Sequence, residues 1–180
     1  MQRIGLTFGV IAGVLLSVFL LFGHLVLWEK GIINFDTGEI WGYTTMVVAM
    51  SAVFFGIKSY RDKHLKGTIS FWKGFRLGLL IYVVAAVMYA TTWEAYRASQ
   101  PEEVAQFFSE YQKREIDKDK AGGATQEELD AKVQQYADFM ELYKNPLIRF
   151  GVSMAELLPV GLLASLVSAA LLRRRDFAPQ

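Results

Sequence analysis

The sequence predicts an all-α membrane protein: a four-transmembrane-helix bundle with an extracytoplasmic amphipathic helical hairpin between spans three and four. Three observations predict it. Ile4–Trp28, Trp41–Ile57, Phe71–Trp93 and Leu147–Leu172 are long apolar stretches, each near the length a helix needs to cross a hydrocarbon core of roughly 30 Å. Ten of the 19 Lys and Arg residues flank one set of their ends: Arg3, Lys58, Arg61, Lys63, Lys66, Lys73, Arg76, Arg173, Arg174 and Arg175. That bias places those ends, and with them both termini, in the cytoplasm. Between the third and fourth stretches the composition changes: Glu94–Arg149 holds 12 acids against 8 bases.

The chain therefore divides into residues 1–93, spans one to three with a basic cytoplasmic loop at 58–70; residues 94–146, the hairpin; and residues 147–180, span four with a basic tail. At 53% hydrophobic residues the 180-residue chain is apolar for a soluble domain but ordinary for a small membrane protein that also carries a polar segment. It has no cysteine, which excludes disulfides, thiolate metal sites and cysteine nucleophiles.

Span one opens on Arg3 and then runs without a charge to Glu29. This is longer than a signal-peptide core and shows no A-x-A cleavage pattern, so an uncleaved span is expected. Gly5, Gly9, Gly13 and Ser17 recur at spacing four and share one helix face. Small residues let a second helix approach where lipid gives no hydrophobic drive. That helix belongs either to the same chain or to a second copy. Gly74 and Gly78 in span three and Gly161 in span four are further packing candidates. Trp28 and Trp41 bracket the short, acid-rich loop Glu29–Ile40, as an interfacial aromatic belt would. In the cytoplasmic loop, Gly67 is the expected turn.

In the hairpin, Pro101 suits the first turn of a helix. Val104, Phe107, Phe108 and Tyr111 then recur at helical spacing. Ala121-Gly-Gly-Ala124 breaks the pattern. Thr125 and Glu128 form a capping box, and Leu129, Val133, Tyr136, Met140 and Tyr143 make a second apolar stripe. Asn145-Pro146 ends that helix or bends it into span four.

Two segments carry a resemblance. Phe55-Gly-Ile-Lys-Ser-Tyr-Arg-Asp-Lys63, Gly67-Thr-Ile-Ser-Phe71, Lys73-Gly-Phe75 and Gly78 form one. Asn145-Pro146, Glu156, Pro159-Val-Gly-Leu162, Ser165, Ser168-Ala169 and the closing arginines form the other. The chain resembles, over about residues 3–175, small bacterial four-span membrane proteins catalogued as domain of unknown function 4199. The resemblance implies the same four-span layout and a bacterial cytoplasmic (inner) membrane. It supplies no activity and no catalytic residue to carry over.

Glu156 is the one acid inside a span, about 13 Å from its outer end if that span starts at Leu147. An ionised carboxylate there is costly unless partnered. His24, Tyr89 and Thr92 are the partners at similar depth, with Tyr43–Thr45 a further set. Together Glu156, His24, Tyr89 and Thr92 are expected to make an intramembrane polar cluster, either a packing device or a proton relay. Lys73, Arg76 and Arg149 are expected to snorkel to the headgroups.

No H-E-x-x-H, G-x-S-x-G or phosphate-loop motif is present, and no carboxylate pair lies within a span. The expectation is a protein that is not an enzyme, with no cofactor, no metal site and no nucleic-acid partner. Its partners would be the lipid bilayer and, for the hairpin, an envelope protein or a second copy. The alternative is a small oligomeric transporter or proton-coupled carrier using Glu156 and His24.

Overall fold

In the computed structural model, which describes residues 1–174, every apolar stretch is helical and no β-strand occurs among the described residues. Arg175 lies outside them. Helix α1, Gln2–Phe22, widens at its end into a π-helical turn, Gly23–Trp28. Then follow α2 (Phe35–His64), α3 (Phe71–Ser99), α4 (Pro101–Ala121), α5 (Gln126–Tyr143), α6 (Pro146–Glu156) and α7 (Leu158–Leu172). Gln2–Trp28, α2 and α3 are each long and apolar enough to cross a membrane. Helices α6 and α7 meet that test only as a pair, bent by 40°.

Two boundaries differ from the sequence expectation. Helix α2 starts at Phe35, not near Trp41, because Asn34 caps it: its side chain accepts from the Asp36 and Thr37 amides at 3.0 Å, and Thr37 answers to the Asn34 amide at 2.9 Å. It also runs past Ile57 to His64, since no Gly or Pro stops it before Gly67. There the chain turns sharply through Lys66 (φ 50°) and Gly67 (φ 88°). Ile69 and Arg174 then exchange two backbone hydrogen bonds of 3.2 Å, tying this loop to the end of α7.

The chain forms two units. The first comprises Met1–Trp93 and the residues from Ser153 onward. Its helices pair through small residues. Gly5 faces Leu80, Gly9 faces Val84, Gly13 faces Met88, and Ser17 hydrogen-bonds Thr92 at 2.8 Å. Both sides climb by four, so α1 and α3 run parallel in one seam. On the other side of α3, Gly74 faces Ala169, Gly78 faces Ser165 and Tyr82 lies on Gly161, an antiparallel seam with α7. Helix α2 packs on α1 and α7, and Gly56 admits Phe8 and Ile81.

The interior of this unit mixes small side chains, some of them polar, with larger hydrophobes. Ser165, Ser168, Ser153 and Thr45 are buried beside Ala49, Ala85, Ala86 and Ala90, around Met50, Ile57, Leu77 and Ile81. Leu6, Val10, Ile11, Val14, Val47, Val83, Leu163 and Val167 point outward. An apolar outer surface with a small-residue interior is the arrangement hydrocarbon favours.

The second unit is Glu94–Val152. Gly123 (φ 91°) makes the turn between α4 and α5. Thr125 and Glu128 form the capping box their spacing predicts: the Thr125 amide donates to Glu128 Oε2 at 2.8 Å and the Glu128 amide donates to Thr125 Oγ1 at 3.3 Å. Those bonds hold the Glu128 carboxyl below its usual range. Lys132 bridges back to Asp119, and its Nζ lies 3.8 Å from Glu115, fixing the two helices in register; the Asp119 contact pushes its ammonium pKa up. Of the second stripe, Leu129 and Tyr143 are buried and Tyr136 and Met140 half-buried, but Val133 is 42% exposed.

Candidate functional site

The first unit carries its polar chemistry where α6 gives way to α7. Pro159 has no amide hydrogen to continue the helix, and Leu157 sits at the break, fully buried. Two tyrosines of α3 donate hydrogen bonds into this break. Tyr82 donates to the Met154 carbonyl at 2.9 Å, with its ring over Gly161. Tyr89, two helical turns on, donates to Glu156 Oε2 at 3.2 Å.

Of the four residues expected to cluster, Glu156 and Tyr89 meet in this hydrogen bond. Thr92 takes Ser17 across the α1–α3 seam. His24 lies in the π-helical turn with Nδ1 3.1 Å from the Leu20 carbonyl and its ring edge-on to Trp93 at 5.8 Å. Of the further set, Thr45 donates to the Gly42 carbonyl at 2.8 Å and Tyr43 points outward.

Trp72 and Trp93 stand about 31 Å apart along α3 at a rise of about 1.5 Å per residue, the thickness of a hydrocarbon core. Tyr89 lies about 6 Å inside Trp93 on the same scale. Glu156, opposite Tyr89, has its side chain exposed at the surface of this unit. Replacing Glu156 with Gln should leave stability close to that of the parent, because the Tyr89 hydrogen bond survives. Glu156→Leu and Tyr89→Phe should each lose about 0.6 kcal/mol, the size of one hydrogen bond in a membrane bundle. Thermal unfolding in detergent checks this; a Gln variant as weak as the Leu variant would show that the charge itself is needed.

The strongest polar assembly belongs to the second unit and involves a residue expected to snorkel. Arg149 is 6% exposed. Its Nε and Nη2 donate to the two carboxylate oxygens of Glu94, each at 2.6 Å. Its Nη1 donates to the Tyr143 carbonyl at 3.1 Å and lies 3.4 Å from the Lys144 carbonyl, satisfying the open C-terminal end of α5. The guanidinium also lies 5.9 Å from the Tyr143 ring centre, and that ring packs against Phe108 and Phe139. Arg149 therefore joins the end of α3, the end of α5 and α6, and does not reach for headgroups. The sequence signal was a lone Arg just inside an apolar stretch. Its partner, 55 residues away, carried none.

Among the described residues no three His, Asp or Glu side chains converge on a metal-sized site. The fold and these sites define a class: an all-helical protein with several helices apolar enough to cross a membrane, small-residue seams between them, and a separate polar helical hairpin. The chain belongs to the protein family of unknown function DUF4199, whose model matches residues 7–174. No curated protein and no solved structure matches it.

Proposed function

We propose that this is a multi-pass protein of the bacterial cytoplasmic membrane, with both termini in the cytoplasm, that acts as an accessory or interaction protein and not as an enzyme. The hairpin, residues 94–146, stands outside the membrane and engages an envelope protein or a second copy of the chain. The observation that carries the reading is the base of the second unit. Arg149 and Glu94 fix it rigidly, while Val133, Phe139 and Leu142 of α5 remain exposed as apolar surface. A rigid support with uncovered apolar side chains suits recognition of another protein.

The chain has no cysteine, so single introduced cysteines report cleanly. A cysteine at Ser109 should react with an impermeant maleimide in intact cells, and one at Lys63 only after the cells are opened. The reverse pattern overturns the orientation. A photo-crosslinker at Val133 should trap one defined species in cells; a chain that stays an uncrosslinked monomer removes the accessory role.

A further inference from the structure

We propose that the cation-rich end of the first unit binds an anionic phospholipid, with Lys58, Arg61 and Arg174 taking the phosphate and neighbouring apolar side chains taking the acyl chains. The inference rests on membrane residence alone and holds whichever way round the chain sits.

Three separate segments converge there. The end of α2 brings Lys58 and Arg61, the end of α7 brings Arg174, and the start of α3 brings Lys73 and Arg76. Without the turn at Lys66–Gly67 the loop would be free to carry its charges apart. The paired backbone bonds between Ile69 and Arg174 close that option and draw the tail in beside α2. Asp62 is the only acid between Trp41 and Trp93. It is occupied by Arg61, Nε to Oδ1 at 2.7 Å, and lies within electrostatic reach of Lys58 and Arg174 as well. Two acids, Asp62 and, beyond the described residues, Asp176, stand against the ten cations of this end, so it keeps an excess of positive charge that attracts an anion.

The apolar surroundings say what kind. Phe55, one turn before Lys58, is 55% exposed; Trp72, beside Lys73, is 66% exposed; Leu171, just before Arg173 and Arg174, is 70% exposed. The Trp72 ring packs against Phe75, itself stacked on Phe71. Each helix end thus offers a cation next to an uncovered apolar group. A free phosphate would use only the first. A phospholipid uses both, and a net negative headgroup matches the uncompensated charge better than a zwitterionic one.

The test uses the full chain purified in detergent, titrated with phosphatidylglycerol, phosphatidylcholine or inorganic phosphate while its melting temperature is followed. Phosphatidylglycerol should raise the melting temperature and phosphatidylcholine should not. Lys58→Gln with Arg174→Gln should weaken the apparent phosphatidylglycerol affinity about 25-fold, about fivefold per charge removed. Lys113→Gln with Lys118→Gln, in α4, should leave it unchanged. Should the first pair unfold the protein, Lys58→Gln alone, at an exposed position, must show about a fivefold weakening in a chain that melts like the parent without lipid. Equal responses to both lipids, or an unaltered affinity in the charge-depleted variants, overturns the proposal. So does inorganic phosphate matching the effect of phosphatidylglycerol, which would make this a simple anion site.

Discussion

Arg149→Leu should detach the second unit from its own foundation. The variant removes four donated hydrogen bonds at once and leaves the Glu94 carboxylate and two α5 carbonyls without their donor. Removing one partner of a buried pair costs about 3 kcal/mol or more, because the remaining charge stays behind. The loss should be local. Hydrogen exchange in α4 and α5 should accelerate, while amides of the α1–α3 seam keep their protection. Exchanging Glu94 for Gln as well should recover part of the loss, since the stranded charge then disappears. Lys144→Ala is the contrast: its pair with Glu141 is fully on the surface and should contribute almost nothing. Uniform acceleration across both units, or none in α4 and α5, would refute the assignment.

Gly9→Leu should produce the largest loss in the first unit. A Cβ on Gly9 would lie 2.6 Å from Val84 Cβ and 3.1 Å from the Ile81 carbonyl oxygen. The carbonyl is backbone and cannot rotate away, so the helices must part. Overpacking of this kind costs about 3 kcal/mol, and the parting also strains the Ser17–Thr92 hydrogen bond two turns along. Gly9→Ala places the same Cβ and should also lower stability, but by less, because leucine adds three further carbons to be housed. Val10→Leu, on the outward face, should be neutral. Melting temperature in detergent, with size-exclusion to follow the oligomeric state, reads all three. An unchanged melting temperature for Gly9→Leu would mean that α1 and α3 do not meet there.

How much of this was legible in the sequence depends on the range of each interaction. Helix positions were, because an apolar run of membrane length can hardly do anything else. The Thr125–Glu128 cap was, because both partners lie within four residues. The start of α2 was not: Asn34, Asp36 and Thr37 look like loop residues until the Asn34 side chain is seen to accept from the Asp36 and Thr37 amides. The spacing of Gly5, Gly9 and Gly13 identified a contact face but not its partner, since any smooth helix would answer to it. Glu156 and Tyr89 were both legible as polar groups at matching depth. That Thr92 meets Ser17 follows from which face of α3 and α1 each occupies, which only the assembled bundle fixes. Arg149 was misread because a positive residue near a span end usually snorkels, and nothing in the chain announces Glu94.

The parallel seam has a consequence for biogenesis. Ser17 and Thr92 are 75 residues apart, with all of α2 between them. At about 5–20 residues per second, synthesis needs about 4–15 s to deliver the second after the first. Throughout that interval the newly inserted α1 has only α2 to lean on, and its glycine face stands open to lipid or to any other passing helix. Completion of α3 is thus the step that commits the nascent chain to its own fold, and a chaperone or insertase that shields small-residue faces would have its work here, before the hairpin has even been translated.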